Sequence, residues 1–380
     1  MLSSLIQRCV NRHTVHWMVR TVCSRSSHAG TLADGQGQIT SPRRRVSGHR
    51  GGPFALAMLL ALLLGGVTGC PQDEWEPLDA TRGEQPRAEL NLSLEPGMAF
   101  TERTEIESEF EERIGEEEKL QEKHTTKFTL RYKVSEIDDA GGISLDVEIK
   151  HIAGRSDFDP TDESYAFDSD APDRAEAVSR PLTALGGAGF GIVIAADGRV
   201  TRVDGIDKLR SAVMAQAEEL DSRQRATLEE MLDSVVAPHR LHRGLEMLAY
   251  APQEPVGAGA RWAHEFERNR PIPLALEYRF ELRSLRRDHA RIDFEGRTHS
   301  RDEAIKLGAE FNGGTERRVA MEGSAEGQMR IDRATGLIRR ANVTERTDGA
   351  AFYTEPDGPV LSGHIVTEDR VKVTMERESN

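Results

Sequence analysis

The 380-residue chain has little cysteine, only three residues, and few aromatics, 5% of the total. Three cysteines without zinc-finger spacing build neither a disulfide framework nor a structural zinc site. Positive charge is also short: 50 Lys and Arg stand against 64 Asp and Glu, a formal charge of −14. Nucleic acid, whose phosphates call for clustered Lys and Arg, is thereby excluded as a partner. The longest apolar run, Phe54 to Val67, falls short of the roughly 20 residues that cross a bilayer as a helix. There is no His-Glu-x-x-His zinc signature, no Gly-x-Ser-x-Gly elbow and no kinase motif set.

What is present divides sharply by charge. Residues 1–69 carry eight arginines and the single acid Asp34, so the remainder stands near −21. Arg43, Arg44, Arg45 and Arg50 precede the apolar run, which ends in Val67-Thr68-Gly69-Cys70. Basic region, apolar region and small-residue exit make a secretory signal. Its end resembles the bacterial lipobox, which implies signal-peptidase recognition at Val67, Thr68 and Gly69 and lipidation of Cys70. Residues 1–42 read as a non-native or unstructured leader, 43–69 as the signal peptide and 70–89 as a tether. Residues 90–376 read as one domain.

That domain alternates apolar and polar residues. Phe128, Leu130, Tyr132 and Val134 face Ile143, Leu145, Val147 and Ile149 across the turn Asp138–Gly142, and Met98 to Phe110 pairs ahead of them. Period two predicts antiparallel strands with one buried face. A second hairpin is expected around Ala196-Asp197-Gly198. The period then changes: Ile206, Leu209, Val213 and Leu220, with Asp204 as N-cap, predict a helix. Leu228, Met231, Leu232, Val235 and Val236 predict another, ending at Pro238, and Leu241, Leu245 and Leu248 a shorter third. After Pro255, period two returns through Leu274–Leu282, Ile292, Phe294, Met329, Ile331, Val343 and Ile365–Met375. The expectation is α+β: a large curved antiparallel sheet, half-barrel-like, with a two- to three-helix insert over about 204–250 packed on one face.

Three segments carry a family resemblance: Ala196 to Gly205, Pro255 to Trp262, and Asp332 to Leu337. In order and spacing they resemble an uncharacterised family of secreted bacterial lipoproteins, a domain of unknown function. The architecture is similar to the half-barrels of periplasmic lipoprotein carriers. Neither resemblance implies a catalytic residue; the motifs are expected to be structural, with Trp262 filling the core.

Four further features bear on chemistry. His239 and His242 could offer two metal ligands but are expected as helix-surface histidines, since Arg240 and Arg243 repel a cation. The acidic stretch Asp157–Glu163 lacks the glycine of an EF-hand and contains Pro160. Gly186–Gly191 runs into a strand rather than a phosphate-binding helix. The glutamates at 102, 105, 107, 109, 111, 112, 116, 117, 118 and 122 are expected on a solvated hairpin face. No cofactor, metal or catalytic residue is expected. The chain reads as an envelope lipoprotein facing the periplasm or exterior and held to a membrane through Cys70. Non-enzymatic protein contact ranks first, lipid or acyl-chain carriage second, and a motif-less hydrolase third.

Overall fold

The computed structural model describes residues 79–114, 118–159, 163–252, 254–268, 274–300, 305–306, 316–354 and 360–378. Among the described residues, thirteen strands form one antiparallel sheet. They are β1 (Ala99–Ile114), β2 (Glu118–Ile137), β3 (Ile143–Asp159), β4 (Glu163–Asp168), β5 (Gly189–Ile194), β6 (Val200–Asp204) and β7 (Arg261–Arg268). The rest are β8 (Leu274–Leu285), β9 (His289–Ser300), β10 (Ile305–Lys306), β11 (Glu316–Asp332), β12 (Ile338–Thr354) and β13 (Val360–Arg377). The order across the sheet is β6-β5-β3-β2-β1-β13-β12-β11-β9-β8-β7, with β4 beside β3 and β10 beside β11.

This order fixes the path of the connection between β6 and β7. The first and last long strands pair at the centre, Phe100 opposite Arg377 through Ile114 opposite Gly363. The two edges, β6 and β7, are consecutive in sequence. The chain between them must therefore travel from one edge to the other, and it does so as helices over the inner face. These are α1 (Ile206–Met214), α2 (Ser222–Val235) and the one-turn α3 (Pro238–Leu241) and α4 (Arg243–Glu246). Leu209, Val213, Leu228, Leu232, Val236, Leu241, Leu245 and Leu248 are buried in a common core with Phe100, Phe128, Ile149, Phe280 and Val373. Each fully buried aliphatic or aromatic side chain contributes about 1.5–3 kcal/mol. The sheet is open and curved, so the α+β half-barrel expectation holds.

Some details correct the sequence reading. Asp204 does not cap α1: it ends β6, pairs with Gly191 and bonds Arg202 at 2.7 Å. The cap is Gly205 at φ 93°, a left-handed conformation that favours glycine. Leu220 lies beyond the end of α1, and the third stripe is broken into α3, α4 and a 3₁₀ turn, Met247–Tyr250. At the β7 edge, Thr81 pairs with Arg261 and Ala88 with Val256, so the latter part of the segment read as a tether is joined to the sheet. Trp262 is buried as expected, stacked on Phe280 at 5.6 Å, and its indole N–H donates to the Tyr250 carbonyl at 2.9 Å.

Candidate functional site

Alternation along β1 sends Phe100, Glu102, Thr104, Ile106, Ser108, Phe110 and Glu112 to the same buried face. The acidic run is therefore split. Glu102, Glu112 and Glu122 are buried, 0–1% exposed, against the expectation of a solvated face. Glu105 and Glu109 stay outside, paired with Lys127 and Lys123. The reason is parity: a strand carries every second residue inward whatever its charge.

Beneath the helices this parity buries an acid. Glu102 accepts hydrogen bonds from Thr104 Oγ1 at 2.6 Å and Tyr132 Oη at 3.0 Å, and from the Gly244 backbone N–H. Burial raises its pKa above the ordinary carboxylate value, and these hydrogen bonds oppose the rise. The Tyr132 hydroxyl is in turn pushed well above the usual tyrosine value, by burial first and by Glu102 second. A Cβ on Gly244 would lie 2.6 Å from Glu102 Oε2, so close approach of the α4 backbone requires glycine.

Farther along the same face, the registers place five polar side chains in one row. Glu345 lies opposite Asp369, Asp369 opposite Ser108, Ser108 opposite His124, and His124 opposite Ser156. In the next row, Thr347 bonds Thr367 at 2.6 Å, and Phe110 stands between Thr367 and Glu122. His124 Nδ1 lies 2.7 Å from Ser156 Oγ, and its Nε2 2.7 Å from Glu122 Oε1. The second contact has hydrogen-bond length without hydrogen-bond alignment, and both Glu122 oxygens are buried. Phe158 stands edge-on to His124 with ring centroids 5.9 Å apart, and Tyr165 edge-on to Phe158 at 5.9 Å.

The helices add cations to this row. Arg243 Nη2 approaches Glu345 Oε2 at 3.9 Å. Arg240 is 5% exposed, and burial depresses its pKa to about 10 despite attraction to Asp369. Its Nη2, like Ser108 Oγ and Thr298 Oγ1, is buried without a hydrogen-bond partner among the described residues. Buried polar atoms are nearly always bonded, and an orphan costs about 1–3 kcal/mol. Ser108 and Thr298 lie on the buried face of the sheet, on β1 and β9, and Arg240 on α3.

Of the residues singled out in the sequence, Val67, Thr68, Gly69 and Cys70 lie outside the described residues. So does the side chain of His239. His242 is buried rather than on the surface, because α3 and α4 lie over the sheet; burial lowers its pKa, and Nδ1 is 3.4 Å from Glu246. Asp157 belongs to β3 and forms a bidentate pair with Arg155 at 2.7 and 2.8 Å. Gly186–Gly191 does lead into a strand, β5. One group that the sequence did not suggest, His151, Asp168 and Asp170, brings three ligand atoms within 4.8 Å. Asp168 there already accepts from His151 Nε2 and the Asp170 N–H.

The sequence pattern of a family of unknown function, DUF6263, matches residues 140–338. The chain belongs to this family. Its match runs from β3 to β12 and includes the helices, Ser156 and His124's partner strand. No curated protein matches the chain. Among solved structures it is similar to lipovitellin, at 11% identity and a TM-score of 0.42, over 75% of this chain and 25% of that one. It thus spans about a quarter of lipovitellin's length. It is also similar to OccK7 (OpdD) of Pseudomonas aeruginosa, at 8% identity and a TM-score of 0.23 over 74% of this chain and 100% of that one. A third likeness is to the COG4313 outer membrane channel of Pseudomonas putida F1, at 7% identity and a TM-score of 0.16, over 74% and 97%. At these scores no function passes from those proteins to this family member.

Proposed function

We propose that this protein is an envelope lipoprotein whose curved sheet holds an amphipathic small molecule, a lipid or acyl-chain compound, against its inner face. The observation that carries the reading is the row of buried polar side chains, with the orphaned Ser108 hydroxyl in it, beside Phe110 and Phe158. A ligand with a polar group and an apolar body supplies what each set lacks: hydrogen-bond partners for one and contact area for the other. The outer surface argues against protein contact as the main activity. Among the described residues, Phe352 is the one large hydrophobic side chain left exposed, at 39%.

Anchoring rests on the sequence around Cys70. One acyl chain gives marginal membrane binding and two or more hold firmly. Native mass spectrometry of protein purified from an expressing bacterium tests the ligand reading. Retained mass that leaves on mild denaturation supports it, while acyl groups on Cys70 stay covalent. A clean apo mass refutes it.

A further inference from the structure

We infer that Ser156, His124 and Glu122 form a nucleophile, base and carboxylate set, and that the protein hydrolyses carboxylic esters held on its inner face. The inference rests on the ligand reading above and departs from the sequence expectation of a non-enzymatic protein. Strand geometry assembles the set. His124 on β2 lies directly opposite Ser156 on β3, and Glu122, two residues from His124, shares its face. Ser156 Oγ and Glu122 Oε1 sit 2.7 Å from the two different nitrogens of one ring.

The working tautomer of the proposed set is the one with the ring proton toward Glu122. Glu122 is an acceptor when ionised, so it favours the proton on Nε2 and leaves Nδ1 as the lone pair facing the serine hydroxyl. That is the working arrangement of a serine hydrolase: hydroxyl proton toward the base, base N–H toward the acid. Exposure is graded in the useful sense: Glu122 is 0% exposed, His124 8%, and Ser156 half-buried, so the nucleophile is the reachable member. Phe158 and Tyr165 wall the same side and offer an apolar surface to an acyl group.

The step balances with water as the only co-reactant. Ser156 Oγ bonds to the ester carbonyl carbon as its proton passes to His124 Nδ1. The carbon–oxygen bond to the alcohol breaks, and the alcohol leaves with that proton. Water then adds to the acyl carbon, its proton passing to His124. The Oγ–acyl bond breaks, the carboxylic acid departs, and Ser156 regains its proton. Glu122 is a positioning residue that holds the ring and faces the imidazolium.

The full-length protein, treated with a fluorophosphonate probe and assayed on p-nitrophenyl esters of increasing chain length, is the test. The expected result is a probe adduct mapped to Ser156, with ester hydrolysis that Ser156→Ala abolishes. His124→Ala should lower the rate about 10²–10⁴-fold. Glu122→Gln should lower it while leaving the melting curve unchanged, and Glu122→Asp should restore part of it. Parent protein that is folded and retains its ligand, yet neither labels at Ser156 nor cleaves any ester, overturns the inference and leaves the ligand reading standing. Hydrolysis undiminished in Ser156→Ala overturns it equally. Probe labelling of the parent decides the matter even if a variant fails to fold.

Discussion

Replacing Glu102 by alanine removes one acceptor from three buried donors: the Thr104 hydroxyl, the Tyr132 hydroxyl and the Gly244 N–H. Each abandoned donor costs about 1–3 kcal/mol. Tyr132 Oη keeps a 3.5 Å approach to the Leu241 carbonyl, which softens its share. The expected loss is about 3–5 kcal/mol, in the range for breaking a buried polar set by deleting one member. At roughly 2–4 °C per kcal/mol, the melting temperature falls by about 10 °C. Glu102→Gln keeps an acceptor oxygen and should lose less. It also isolates a pH effect whose sign follows from burial. The folded carboxyl has a raised pKa, so the folded protein keeps this proton to higher pH than the unfolded chain. Its contribution to stability is full below the ordinary carboxylate pKa and is lost as pH rises through the folded value. Urea unfolding followed by circular dichroism between about pH 4 and 8 should show that decline in the parent and not in Glu102→Gln. Glu102→Ala melting within about 2 °C of the parent, or Glu102→Gln keeping the parent's pH slope, would refute the reasoning.

Gly244→Ala should destabilise the protein by about 1–3 kcal/mol, since its Cβ meets the Glu102 carboxylate. In a double-mutant cycle with Glu102→Ala the two losses should fall well short of additive, and simple additivity would count against the contact. Arg240→Met should raise stability at neutral pH by about 1–3 kcal/mol, because it removes a buried charge with an orphaned nitrogen. In the parent, the penalty of that charge should fade as pH rises through about 10, the depressed folded value; a destabilised Arg240→Met in urea titration would contradict this. Gly154→Ala should cost about 1–3 kcal/mol, its Cβ lying 2.4 Å from the Phe167 ring, and an unchanged melting curve would disprove the clash. Cys70→Ala should abolish incorporation of a labelled fatty acid, and retained label would remove the anchor.

Much of the fold is readable from period alone. Phe128–Val134, Leu274–Leu282 and Val371–Met375 alternate so regularly that their strands and buried faces follow directly. Strand length was less legible. β2 runs for 20 residues, but its first half, Glu118 to Thr126, has Leu120 as its one apolar residue and so carries almost no hydrophobic signal. The candidate site sits in that silent half. Glu122 and His124 share parity with Phe128 and Leu130, and extending the alternation backward would have turned them inward. Nothing in one sequence supplies the pairing register that sets Ser156 beside His124, since that depends on a bulge between Thr129 and Leu130. The helix insert was legible in place but not in route, because its path over the sheet follows from strand order.

The pairing of β1 with β13 governs how the molecule is made. Phe100 and Arg377 stand at opposite ends of the domain sequence yet close the middle of its sheet. Loop-closure entropy is paid late for such a contact, and high contact order slows folding. Neither meander can complete its neighbour until the last strand is delivered, so a chain emerging N-terminus first stays open through nearly all of its synthesis. Until β13 arrives, β1 keeps one edge without a partner strand, and that edge is the part of the nascent sheet most open to pairing with another chain.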